Sequence, residues 1–325
     1  LCADYRGARK MRPLLSEKSL AVLKAEGHDV SAGSESEHKV QAGKVIDSDE
    51  KFYGLGDKTG FLNKRSYEYE NWNSDLPQAH TDGFRALYKS VPFFITLKES
   101  GVYGIFFDNT YKSYMNMGKE SPEYFYFGAD AGNLDYYFIS GNRMADVVSG
   151  YTYLTGTTPL PQLWTLGYHQ SRWGYVYQED IEAIATGMRD NDIPCDAIHF
   201  DIDYMNGYRV FTWNDDRYHG DPDGYLQTLV DRGFKPVVII DPGVKKDEEY
   251  YVYKEGVENG YFAKTPEGEV YINAVWPGDS AFPDFGREDV RTWWGDKHKF
   301  LVDKGVRGVW NDMNEPASFN GPLPD

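Results

Sequence analysis

Gly305-Val306-Arg307-Gly308-Val309-Trp310-Asn311-Asp312-Met313-Asn314-Glu315-Pro316-Ala317-Ser318-Phe319 is the stretch on which the fold turns. Residues 306–310 predict a short buried strand. The apolar run stops where two carboxylates, Asp312 and Glu315, and two amides, Asn311 and Asn314, begin. Parallel barrels place their function at the C-terminal ends of strands, so such a strand suits the mouth of a site. Pro316 closes the run, because it has no N–H to give to a ladder. Taken alone, the same residues fit a polar loop after a core strand, and the rest of the chain has to decide.

Working back from this strand, the pattern alternates strand and helix. Residues 165–169 predict a first strand and 178–191 a helix; 197–201 predict a second strand, with a helix near 222–232. Residues 236–241 predict a third strand, followed by a longer excursion and a helix near 288–304. Repeated βα units with short apolar strands call for a parallel sheet buried on both faces. Four units make half of a (β/α)8 TIM barrel. A doubly wound sheet of four strands is the alternative, but no Gly-rich phosphate turn follows the first strand, where Gly167-Tyr168-His169-Gln170-Ser171-Arg172-Trp173 stands.

Ahead of residue 156 the pattern is different. Short apolar runs at 19–23, 92–97, 102–107, 124–127 and 134–139 lie between Gly, Asn and Asp, and predict an antiparallel β-sandwich. Residues 142–154 then carry Met144, Val147, Val148, Tyr151 and Leu154 at helical spacing, opened by Asn142 as a cap. Gly156-Thr157-Thr158-Pro159-Leu160-Pro161 breaks that helix and reads as a linker. The expected organisation is α/β, with a sandwich over residues 1–155 and the first half of a (β/α)8 barrel over 156–325.

Composition narrows the partners. The chain has 325 residues, enough for two domains. Its formal net charge of −17 argues against nucleic acid or an anionic membrane, which need clustered Lys and Arg. Aromatic residues make up 16%, with 26 Tyr and 8 Trp, which suits both a β-rich core and stacking on sugar rings. The two cysteines, Cys2 and Cys195, give neither a disulfide framework nor a metal spacing, and Cys195 reads as a buried inert thiol. No apolar run approaches the roughly 20 residues of a membrane span. Leu1-Cys2-Ala3-Asp4 has neither Met nor a signal pattern, so the true N-terminus is expected upstream and the cytoplasm is the default location.

Trp310-Asn311-Asp312-Met313-Asn314-Glu315-Pro316 closely resembles the nucleophile signature of glycoside hydrolase family 31, the retaining α-glucosidases and their relatives. Further segments resemble the family in order: Tyr53-Gly54-Leu55-Gly56-Asp57-Lys58, Trp72-Asn73-Ser74-Asp75, Gln170-Ser171-Arg172-Trp173-Gly174-Tyr175, Asp201-Ile202-Asp203-Tyr204-Met205, Ile239-Ile240-Asp241-Pro242-Gly243, and Val275-Trp276-Pro277-Gly278 with Phe282-Pro283-Asp284-Phe285. The resemblance implies Asp312 as the nucleophile. It implies substrate contacts from Asp75, Trp173, Asp201, Ile202, Ile239, Asp241, Trp276, Trp310, Met313 and Phe319. It also implies that Asp75 lies on a loop over the barrel mouth, and that an Arg and a His from later strands offset the crowded carboxylates.

The family's general acid/base Asp lies well downstream of this strand and matches no residue here. A further segment or a second chain is therefore expected to complete the barrel. His169 and His199 read as strand-packing residues. The expected substrate is a small α-glucoside, with no cofactor, metal, nucleic acid or membrane. Three other readings stay open: an α-xylosidase of the same family, a β-glycosidase using Glu315 as acid/base, and a sugar-binding fragment without catalysis. The α-1,4 or α-1,6 linkage preference is not legible in these residues.

Overall fold

A computed structural model describes residues 2–3, 40–76 and 78–321. The run expected at 19–23 lies outside these residues. The chain forms two compact units, Leu1–Thr158 and Pro159–Asp325.

The first unit holds two antiparallel sheets. One contains β1 (Cys2–Ala3), β3 (Lys51–Gly56), β5 (Ser90–Lys98), β6 (Gly101–Phe107) and β9 (Tyr136–Gly141), in the order β1-β9-β6-β5-β3. The other contains β2 (Val40–Val45), β4 (Glu68–Asn71), β7 (Ser113–Asn116) and β8 (Tyr124–Ala129), in the order β2-β8-β7-β4. The inner faces share one core. Phe52 and Phe94 of the first sheet lie 5.4 and 5.5 Å from Phe125 of the second, with edge-to-face geometry.

β5 is buried on both faces, because helix α1 (Met144–Thr155) covers the outer side, where Phe93 and Ile95 pack with Val147. Gly104 permits this close approach: a Cβ there would lie 2.6 Å from Val147 Cγ1. The cap of α1 differs from expectation. Asn142 does not cap it. The Asp146 carboxylate instead accepts the backbone N–H of Arg143 at 3.0 Å and of Asn142 at 3.2 Å. A carboxylate in the first turn serves the positive end of the helix as well as a residue ahead of it does.

In the second unit, β10 (His169–Gln170), β11 (Ala197–Phe200), β12 (Lys235–Ile240) and β16 (Gly308–Asn311) run parallel in the order β10-β11-β12-β16. Helices α2 (Gln178–Asp190) and α3 (Pro222–Asp231) connect the first three strands. Neighbours in the sheet follow sequence order with no reversal. That is the winding of a barrel sector, whereas a doubly wound sheet reverses at a switch point.

Between β12 and β16 lies the excursion, with β13 (Val244–Lys245), α4 (Tyr251–Glu258), β14 (Ile272–Val275) and β15 (Gly278–Ala281). Its strands form an antiparallel sheet, β13-β15-β14.

Two local expectations differ. The strand expected at 165–169 starts only at His169, because Leu163–Leu166 is a 3-10 turn. Gln162 holds that turn: its carbonyl accepts the Thr165 hydroxyl at 2.7 Å, and its Oε1 accepts Trp164 Nε1–H at 2.6 Å. The helix expected near 288–304 is two helices, α5 (Glu288–Lys297) and α6 (Lys299–Lys304), parted at His298. There the imidazole Nδ1 takes the Trp294 carbonyl at 2.8 Å, which the helical N–H would otherwise use, and the His298 N–H turns to Gly295 O at 3.1 Å. Gly305, at φ 111°, then ends α6 in the left-handed region, and Val306 and Arg307 lead into β16.

Candidate active site

Strand register brings three carboxylates to one place. His199 pairs with Val237 and Val237 with Gly308, while Ile239 pairs with Trp310. Side chains alternate along a strand. One face therefore carries His169, His199 and Asp201, then Val237, Ile239 and Asp241, then Gly308, Trp310 and Asp312. Ile198, Phe200, Val238 and Ile240 alternate to the other face, in the core that also holds Ile181 of α2 and Leu226 and Leu229 of α3. Asp201, Asp241 and Asp312 each come directly after the last residue of their strand.

The face is layered. At the bottom, Gly308 leaves room for the Trp164 ring, whose nearest atom would be 3.3 Å from a Cβ at that position. Above it, Trp164 stacks on His169 at 5.6 Å, His169 Nδ1 meets His199 Nε2 at 3.1 Å, and His199 lies 6.0 Å from the Trp310 ring. Burial, and then the neighbouring His169, push the His199 imidazole below its usual range, which favours its neutral form. The histidines thus support the carboxylate layer from beneath.

The carboxylates have different surroundings. Asp241 is only 4% exposed, and its Oδ1 has no hydrogen-bond partner among the described residues. Burial first, then the charges of Asp312, Asp201 and Glu315, push its carboxyl up to about 7. Asp201 is half-buried; its Oδ1 accepts the Ile202 N–H at 2.8 Å, and its carboxyl is raised by burial against that bond. Asp312 is half-buried. Its backbone N–H continues the ladder to Ile240 O at 3.2 Å, and its carbonyl accepts from Asn314 Nδ2 at 2.7 Å.

Sequence reasoning missed the residues that hold these ends still. Tyr204, wholly buried, donates its hydroxyl to Ile239 O at 2.9 Å and so ties the turn after β11 to β12. Asp203 in the same turn pairs with Arg217 at 2.9 Å, and Arg217 also donates to the Asp203 carbonyl at 2.6 Å. Both residues lie inside the quoted Asp201–Met205 string. A buried Tyr and a second Asp beside a strand end were the available signal.

The remaining expected residues are placed as follows. Met313 has φ 59°, a conformation that β-branched residues avoid and Met tolerates at a cost, and it packs with Val275, Phe282 and Ala317. The excursion is thereby fastened to the loop after β16. Trp276, on the hairpin between β14 and β15, meets Phe319 edge-to-face at 5.2 Å. Ile202 and Ile239 are buried, Ile239 on the carboxylate face of β12. Trp173 is 70% exposed in the loop after β10. Asp75 lies in the first unit, in the segment after β4, and is exposed. Among the described residues no three His, Cys, Asp or Glu side chains gather to hold a metal ion. No helix of the described residues is long and apolar enough to cross a membrane.

Comparison with known proteins agrees with this arrangement. Residues 158–325 match the glycosyl hydrolases family 31 TIM-barrel domain, and residues 6–116 match the glycosyl hydrolase 31 N-terminal galactose mutarotase-like domain. Alpha-glucosidase 2 of Bacillus thermoamyloliquefaciens is 47% identical over 277 residues, covering 85% of this chain and 35% of that protein. The alpha-glucosidase of Saccharolobus solfataricus is 33% identical over 283 residues, 87% of this chain and 40% of its own length. A Flavobacterium johnsoniae GH31 dextranase, solved with glucose, superposes with a TM-score of 0.82 at 38% identity, covering 88% of this chain and 35% of that one. The chain thus spans about a third of the length of the relatives it matches.

Proposed function

The chain belongs to glycosyl hydrolases family 31, and from that premise we propose that it carries the nucleophile of a retaining α-glucosidase acting on short α-glucosides. The observation that supports this most is the row of carboxylates Asp201, Asp241 and Asp312 at the ends of three neighbouring parallel strands. The Asp312 carboxylate attacks the anomeric carbon of the terminal non-reducing glucose, and a carboxylic acid across the bond protonates the leaving oxygen. Water then releases the covalent glycosyl intermediate with retained α configuration. A nucleophile fixed by its own ladder bond is held as a reacting group must be.

Asp201 and Asp241 accept sugar hydroxyls in charge-assisted hydrogen bonds. The unpartnered Oδ1 of Asp241 suits such a donor. Trp276 and Phe319 make an aromatic wall for the sugar ring, and Trp310, Met313, Ile202 and Ile239 give the pocket further apolar surface. Trp173 separates the bound glucose from the leaving sugar. The general acid/base and the remaining strands come from polypeptide beyond residues 1–325, in the same chain or in a second one.

A fluorinated α-glucosyl substrate that traps the intermediate, followed by peptide mass mapping of the whole protein, tests the assignment. The label is expected on Asp312. A label on Glu315 or Asp201, or inverted product by NMR, removes it.

A further inference from the structure

We infer that Asn273 is the positioning residue of the aromatic wall formed by Trp276 and Phe319; this rests on the reading that the wall takes a sugar ring. Both rings are too exposed, at 44% and 53%, for burial alone to fix them, and they come from separate segments of the chain. Yet they meet edge-to-face at 87°. Met313 fastens the start of the loop after β16 to Val275; near the rings themselves the side chain that joins the loop to β14 is a buried amide, Asn273.

The Asn273 side chain sits where the two segments touch. Its Oδ1 accepts the N–H of Ala274 at 2.7 Å and of Asn320 at 3.2 Å. Its Nδ2 lies 2.8 Å from the Tyr271 hydroxyl, 3.2 Å from Ser318 Oγ, 3.4 Å from Asn320 O and 3.3 Å from Gly321 O. An amide has two lone pairs and two N–H groups, so the acceptor is saturated and the donors are shared among four oxygens. Phe319 itself donates its backbone N–H to Ala274 O at 2.8 Å, one residue along the same strand. Asn273 thus grips the residues on either side of Phe319, while Asp312 is held separately by the ladder to Ile240. The amide sets the wall without setting the nucleophile.

Asn273→Asp is the discriminating change. It keeps the shape and the accepting oxygen, but turns the donor into an acceptor facing the carbonyls of Asn320 and Gly321. With maltose as probe, KM should rise about tenfold while kcat stays within about threefold, the pattern of lost uniform binding. Combined with Phe319→Ala, the loss should not add, because both variants remove the same wall. A substrate-free readout uses protein labelled with 5-fluorotryptophan, with the Trp276 fluorine resonance assigned by its disappearance in Trp276→Phe. That resonance should move in Asn273→Asp to where Phe319→Ala puts it. Should Asn273→Asp fold poorly, Ser318→Ala removes one partner of the amide and should move the resonance the same way by less. An unmoved resonance, a loss confined to kcat, or strictly additive variants would overturn the inference. The fluorine measurement decides it even if maltose is not hydrolysed, so failure of the proposed function is read separately.

Discussion

Asp241→Asn should change how the stability of the second unit depends on pH, by an amount that follows from the burial of one carboxyl. Burial and the neighbouring carboxylates raise Asp241 from 3.8 to about 7. The folded protein therefore holds a proton that the unfolded chain has released, and stability falls as pH rises through that window. The slope from this group reaches about 1.4 kcal/mol per pH unit, and the whole span is about 4 kcal/mol. Asn cannot ionise, so the variant lacks this loss. Relative to wild type it should gain stability steadily from pH 4 to 7 and level off above.

The comparison removes other contributions. Asp201, also raised, adds a slope of the same sign in both proteins, while Asp247, lowered first by its bond to Arg209, adds one of opposite sign in both. Any fixed cost of the amide is independent of pH. Urea midpoints between pH 4 and 8, followed by tryptophan fluorescence, provide the assay; seven of the eight tryptophans lie in the second unit. A difference between the two proteins that stays constant across this range to within about 0.5 kcal/mol, the usual scatter of independent effects, refutes the reasoning.

Asp312→Asn should collapse turnover while sugar binding measured by calorimetry largely persists, since the lost interaction belongs to the transition state; equal loss of binding and turnover would contradict the nucleophile role. Trp173→Tyr should shift relative activity on isomaltose and maltose by roughly tenfold to two-hundredfold, the range a pocket contact supports, and an equal change on both would assign Trp173 to the fold. Gly104→Ala places a Cβ 2.6 Å from Val147 Cγ1 and 2.8 Å from Phe93 Cε2. It should lower the thermal stability of the first unit by about 1–3 kcal/mol, as overpacking does, and calorimetry resolving the two units checks it.

That three carboxylates follow strand ends was legible from sequence, and side-chain parity is a property of the chain itself. Apolar residues that stop at Asp201, Asp241 and Asp312 place all three at strand ends, and the register then puts them on one face. What the sequence left hidden is set by contacts between distant segments. Asn273 reads as an ordinary strand amide until residues 318–321 fold onto it. Short elements were hidden for another reason. Glu68–Asn71 buries only Tyr69 and Asn71 between charged neighbours, and Lys51–Gly56 carries two glycines, so neither has the composition that marks a strand. The Leu163–Leu166 turn was concealed because its apolar residues suit a strand, while the Gln162 side chain and carbonyl that bend it act through hydrogen bonds.

The same strand geometry explains why Asp241 is raised. Neighbouring strands lie about 4.8 Å apart, and two like charges at that spacing repel by roughly 3 kcal/mol even at an effective dielectric of about 20. Asp241, between the other two, feels both of them as well as Glu315, and is also the most buried. It therefore keeps a proton up to about neutrality. A sugar hydroxyl donating to Asp241 Oδ1 stabilises the charged form and draws its titration back down, so sugar binding near pH 7 should release part of a proton. The buried position that weakens the unliganded fold is thus the position at which a hydroxyl has most to offer. On the proposed reading, stability given up by burying Asp241 returns as binding energy directed at a donor of the right geometry.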